Sequence, residues 1–136
     1  MSGTTEYKVS IRVSHPTARA EEIAARVGLK SRIVQSVGDE RETRNGTKLE
    51  GTYQRTYVLF DLKEFEGVTG VEGTLKIVLE TIADTRSYLS ELVETGGRVE
   101  FSIGIFCSEN TGLEIDAELV RTLASARMGL LLDVYP

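Results

Sequence analysis

Residues 98–107 alternate over ten positions. Val99, Phe101, Ile103, Ile105 and Cys107 fall on one side, and Arg98, Glu100, Ser102, Gly104 and Phe106 on the other. A period of two belongs to a strand that lays one face on a core. Residues 7–14 repeat it, with Tyr7, Val9, Ile11 and Val13 opposite Lys8, Ser10, Arg12 and Ser14. His15-Pro16 ends that strand, because a residue before proline keeps extended geometry.

Between and after these strands the period changes. Ala20, Ile23, Ala24 and Val27 line one helical face over residues 18–27, and Gly28 is placed as a left-handed C-cap with Leu29 packing back. Ile33 to Val37 reads as a second strand. Residues 38–51 are polar, and Asn45-Gly46 predicts a type I′ turn with both central residues at positive φ. Residues 52–62 read as a third strand, with Val58, Phe60 and Leu62 on one face and Tyr53, Tyr57 and Leu59 on the other. Apolar residues on both faces fit a central or covered strand.

Residues 71–95 carry Val71, Leu75, Val78, Leu79, Ile82, Leu89, Leu92 and Val93 at helical spacing, which predicts one long helix. Thr69 with Glu72 could form its capping box, and Gly96-Gly97 ends it. Asp116 is placed as the N-cap of a third helix running to about Arg127, with Ile115 and Val120 spaced as a hydrophobic staple. Residues 130–135 close the chain as a last strand. The order β-α-β-β-α-β-α-β gives an α+β fold: a ferredoxin-like β-α-β-β-α-β core with an added C-terminal α-β unit. Its sheet is expected to be mostly antiparallel with helices on one face.

A chain of 136 residues is the size of one domain, so residues 1–136 are read as a single unit with residues 1–6 flexible. Sixteen basic residues against twenty-one acidic ones give a net charge of −5, which opposes nucleic-acid binding. Arg41, Arg44, Lys48 and Arg55 with Tyr53 and Tyr57 hint at a basic-aromatic patch, but Asp39, Glu40, Glu42 and Glu50 neutralise it. One cysteine forms no internal disulfide, and one histidine cannot build a zinc site of several His and Cys ligands. No metal and no cofactor is expected, since phosphate-binding, dinucleotide and metal-ligand spacings are absent. The first residues lack a basic and apolar leader, and no apolar run nears the roughly 18 residues of a membrane span. The expectation is a cytoplasmic protein with no membrane contact. Asn45-Gly46-Thr47 is then a turn rather than a glycosylation site.

The lone His15 and the lone Cys107 end neighbouring antiparallel strands in this pattern, so they lie at opposite ends of the sheet, roughly 25–30 Å apart. A nucleophilic dyad needs contact, so no catalytic residue is assigned. Cys107 sits on the apolar face, where a free cysteine acts as a small hydrophobe. His15 is the weaker of the binding candidates. The opposite end gathers the loop Ser108–Gly112, with Glu109 and Asn110, the N–H groups of the third helix, and Asp133 and Tyr135 if the last strand runs parallel to the fourth. That rim suits a small polar ligand or a partner's loop. The carboxylate pairs Glu21-Glu22 and Glu64 with Glu66 read as solvated surface.

Three C-terminal stretches carry a resemblance: residues 101–113, from Phe101 through Cys107 and Asn110 to Leu113; Ala117 to Val120 with Leu123-Ala124; and Leu132 to Tyr135. Together they resemble the bacterial family known as domain of unknown function 4279. The long helix with Gly96-Gly97, and Val27-Gly28-Leu29, agree with it. Such proteins often carry a tryptophan in the third strand, where this chain has Tyr53 and Tyr57. The resemblance implies a small bacterial cytoplasmic protein and supplies no activity, cofactor or catalytic residue.

The reading that follows is a non-catalytic binding or interaction module, of an immunity or regulatory type, for a protein partner or a small polar ligand. Apolar residues such as Phe106 and Leu131 on the polar faces could equally bury in a homodimer. The alternative is a small hydrolase or transferase that uses the carboxylates of Glu109 and Asp133 at the Ser108–Gly112 loop.

Overall fold

The two alternating strands become direct neighbours. Strand β1 (Glu6–His15) pairs antiparallel with β6 (Arg98–Phe106), in register from Glu6 opposite Phe106 to Ser14 opposite Arg98. This register brings the apolar sides of both strands onto one face. The structure, a computed structural model, describes residues 5–66 and 70–136. The remaining elements are α1 (Ala20–Val27), β2 (Ser31–Gln35), β3 (Glu40–Glu42), β4 (Lys48–Thr52), β5 (Thr56–Asp61), α2 (Gly70–Thr81), α3 (Arg86–Glu94), α4 (Ala117–Ser125) and β7 (Met128–Tyr135).

Five strands form one sheet in the order β2-β5-β1-β6-β7. The β2–β5, β5–β1 and β1–β6 pairs are antiparallel, and β6–β7 is parallel, so the sheet is mostly antiparallel but mixed. The four α-helices of the described residues contribute to one core cluster on one sheet face. Ile11, Val13, Phe60, Phe101 and Ile103 of the strands are fully buried there, against Ile23 of α1, Leu75 and Val78 of α2, and Leu89 of α3. Leu119 and Leu123 of α4 complete the cluster. Each such side chain contributes about 1.5–3 kcal/mol relative to exposure.

Local chemistry sets the boundaries. Helix α1 begins without a cap of its own; Ser36, after β2, accepts the Ala20 N–H at 2.8 Å. Gly28 takes the left-handed conformation at its end, φ 75°, as its position predicts. Asp116 caps α4 by accepting the Leu119 N–H at 2.8 Å. The staple partner Val120 stays half exposed.

Three expectations need correction. The single helix over 71–95 is two, α2 and α3, broken by a 3-10 turn at Ala83–Thr85. Ile82 and Leu89 are seven residues apart, two full turns, so the apolar stripe runs through the break unmarked. Polar groups close the joint: Arg86 donates from Nε and one Nη to the Leu79 carbonyl, and Thr85 Oγ1 donates to Ile82 O. The third strand over 52–62 shortens to β5, and the polar stretch 38–51 before it holds two short strands, β3 and β4, which form a hairpin separate from the main sheet. That hairpin does not turn by a type I′ turn, because Gly46 takes positive φ (82°) and Asn45 does not. Thr43 and Thr47 close a three-residue loop instead: Gly46 N–H donates to Thr43 O, and Thr43 N–H to Thr47 O. This is the commonest three-residue hairpin loop, with one glycine in the left-handed region. The Thr69 capping box lies outside the described residues, as do residues 1–4 of the start expected to be flexible; Glu6 already belongs to β1.

Candidate functional site

With the α-helices of the described residues on one side, the even-numbered residues of β1 and β6 face the other side. That face is hollowed into a groove of about 560 Å3. Its floor runs from Leu59 on β5 across Ser10 and Arg12 on β1 to Ser102 and Gly104 on β6. Leu59 and Ser102 are both 6% exposed, although they lie on the uncovered face.

One end of the groove is aromatic. Phe106 and Tyr135 stack with centroids 4.7 Å apart and planes 8° from parallel. Parallel pairing of β6 with β7 puts them side by side, and the Cys107 N–H continues the ladder to Tyr135 O at 3.1 Å. Gly104 makes room for the stack: a Cβ there would stand 3.2 Å from Phe106 Cε2, so the ring lies back over the glycine. Lys8 Nζ sits 5.4 Å from the Phe106 centroid, a cation–π distance.

The other end is cationic. Arg12 on β1 and Arg32 at the irregularity of β2 flank Leu59, which pairs with both Arg12 and Ile33. Neither arginine makes an ion pair among the described residues. Arg12 Nε is buried with no hydrogen-bond partner among the described residues. Glu100 stands opposite Arg12 in register, but its carboxylate meets Arg98 at 3.5 Å. Two of the acids that line the groove hold backbone groups: Glu66 accepts the Val9 N–H at 2.8 Å and Asp61 accepts the Lys63 N–H at 2.9 Å. Tyr135 OH donates to Asp133 Oδ2 at a long 3.5 Å.

Of the residues singled out from sequence, the structure brings Asp133 and Tyr135 together in this groove. Glu109 and Asn110 are exposed on the loop beyond β6 and do not line it. The carboxylate of Glu109 therefore does not join that of Asp133 in this groove. The loop is tied to β1 by Tyr7 OH, which donates to Gly112 O at 3.2 Å. The N-terminus of α4 is occupied, since Asp116 takes the Leu119 N–H and pairs with Lys76 at 3.2 Å. The Leu119 N–H and then Lys76 hold the Asp116 carboxyl below the ordinary carboxylate range.

His15 lies at the far end of β1. The register sets it beyond the Ser14–Arg98 pair and sets Cys107 beyond the Glu6–Phe106 pair, so the strand length separates thiol from imidazole. His15 is 4% exposed and fully engaged. Its Nδ1 accepts the N–H groups of Thr17 and Ala18 at 3.0 and 2.9 Å. That assigns the proton to Nε2, which donates to Thr95 Oγ1 at 2.7 Å. Burial, and then the charge of Arg55, push its pKa below the ordinary histidine value.

Sequence reasoning passed over Arg12, Arg32 and Phe106 as site residues. The signal was present for Arg12: a long cation in the middle of an alternating strand must cross the uncovered face. Arg32 had none, because an irregularity in β2 sets its direction. Among the described residues no cluster of His, Cys, Asp and Glu could hold a metal ion, and no helix is long and apolar enough to cross a membrane.

Fold and site together define an α+β domain with one sheet face under helices and the other open as a groove. The chain belongs to the family described as domain of unknown function DUF4279, whose family model matches residues 5–136. No curated protein and no solved structure matches the chain.

Proposed function

We propose that the protein is a non-catalytic binding module that takes a small ligand in the open-face groove. The carrying observation is the groove itself: about 560 Å3, the volume of a small-molecule site, with a stacked ring pair at one end and guanidinium groups at the other. The antiparallel order of β2, β5, β1 and β6 supports reading the core as ferredoxin-like, with α4 and β7 as the added unit. Thermal-shift screening of charged and neutral small molecules tests the proposal. A ligand that binds the native state raises the Tm by mass action. Phe106→Ala is expected to abolish the shift while unfolding stays cooperative. If no compound class shifts the Tm, or if Phe106→Ala leaves every shift intact, the groove is not the site.

A second reading concerns self-association. β7 is an edge strand of eight residues, and Leu130, Leu132 and Val134 on it are 39%, 51% and 61% exposed. A long apolar edge is a template for a further strand. Antiparallel pairing of β7 with its own copy would form a two-fold homodimer. Sedimentation at increasing concentration distinguishes this dimer from a monomer.

A further inference from the structure

We infer that Arg12 and Arg32 form an anion subsite, so that the ligand carries a carboxylate or phosphate group; this rests on the groove reading above. The two side chains stand on strands separated by β5, at a spacing of roughly 10 Å between strand axes. Both line the groove, and Leu59 lies between them as an apolar floor. Side chains of arginine length can converge on one anion above that floor.

The pairing pattern favours this. The groove is lined by as many acids (Glu6, Asp61, Glu66, Asp133) as bases (Lys8, Arg12, Arg32, Lys63), yet among the described residues neither Arg12 nor Arg32 meets a carboxylate. The buried, unpartnered Nε–H of Arg12 is a specific signal, since an unsatisfied buried donor costs about 1–3 kcal/mol. Its position covers Nε, so the guanidinium must swing toward the groove to present its Nε and Nη edge. An anion there accepts both N–H groups side by side, and the swing removes the unsatisfied donor.

The aromatic end fixes the rest of the ligand. The Phe106 ring lies over Gly104, which pairs with Lys8, four residues along β1 from Arg12. Four residues of strand span roughly 13 Å. The fitting ligand is an elongated organic anion with its charged group at Arg12 and Arg32 and a flat apolar end against Phe106 and Tyr135.

The test is an NMR titration of the full chain with 8-phenyloctanoate, its neutral counterpart 8-phenyloctanol, and inorganic phosphate. 8-Phenyloctanoate is expected to move the Arg12 Nε–H signal and the amides of Ser10, Ser102 and Gly104, and to bind about tenfold more tightly than the alcohol, the gain of charge-assisted hydrogen bonds. Phosphate is expected to move the Arg12 signal without touching Gly104. Arg32→Gln is expected to bring the acid down to the level of the alcohol. Because the Arg12→Gln chain could lose its fold, the exposed Arg32 and the milder Arg12→Lys decide the outcome. Equal binding of acid and alcohol, with Arg32→Gln silent, overturns the anion subsite and leaves the groove reading standing. No movement of any groove signal by any probe overturns both.

Discussion

Tyr135 lies flat on Phe106, ring on ring at 4.7 Å, and this contact holds the last residues of β7 to the end of β6. Offset stacking of this kind is worth about 0.5–1.5 kcal/mol beyond the area it buries. Tyr135→Ala is therefore expected to lower stability by about 1–2 kcal/mol, with Phe106→Ala at least as costly. A double-mutant cycle by urea unfolding should return a coupling of about 0.5–1.5 kcal/mol. Additive single effects would show that the rings act independently.

Gly97 sets the opposite end of the sheet. A Cβ there would stand 2.7 Å from Leu92 O, 2.8 Å from Ser14 O and 2.9 Å from His15 Cδ2. Two of these neighbours are backbone, so the clash must move either β1 or the end of α3. Gly97→Ala is expected to cost about 1–3 kcal/mol, the usual range for overpacking, or more. Gly112→Ala is the control, because nothing lies within 4 Å and its φ is not positive; its effect should stay within about 0.5 kcal/mol. Similar unfolding midpoints for the two variants would remove this account of why residue 97 is glycine.

His15 makes stability depend on pH, and the sign follows from its hydrogen bonds. Nδ1 accepts two backbone N–H groups, so protonating it ejects both and places a charge in a buried site near Arg55. The folded-state pKa is lowered, so the unfolded chain takes up the proton first. The contribution is whole above the unfolded value of about 6.5 and is lost as pH falls below it toward the folded value. Urea midpoints at pH 8, 6.5 and 5 should decline for the native chain. His15→Gln should be less stable at pH 8 but flatter across that window. An equally steep decline in the variant would assign the pH dependence to other groups.

The parts of this molecule that obey a period were legible in its sequence. β1 and β6 alternate, so their faces and pairing followed, and Asp116 and Gly28 announced the ends of two helices by their chemistry. Where a pattern is indifferent to what the backbone does, it misled. The heptad spacing from Ile82 to Leu89 hid the break between α2 and α3, and Asn45-Gly46 fits a turn that needs only Gly46 at positive φ. The groove was half legible. Asp133 and Tyr135 follow from running β7 parallel to β6, whereas Arg32 depends on an irregularity and Phe106 on the space that Gly104 leaves for its ring. Sites built across strands are set by register, and register comes from the whole sheet.

The same edge supplies the last test. Leu132 pairs with Ile103 in the β6–β7 ladder, yet Ile103 is fully buried and Leu132 is 51% exposed. One ladder rung thus holds a core residue and an edge residue, and their substitutions should separate stability from association. Ile103→Ala is expected to cost about 2–5 kcal/mol, the range for emptying a packed aliphatic site. Leu132→Lys should change monomer stability by about 0.5 kcal/mol or less, because it exchanges one exposed side chain for another. It places a charge on the edge, which is how sheet proteins block strand addition. If β7 pairs with its own copy, the native chain should sediment as a dimer at high concentration and Leu132→Lys as a monomer. A native chain that stays monomeric, or a variant that still dimerises, would remove β7 as the self-association surface.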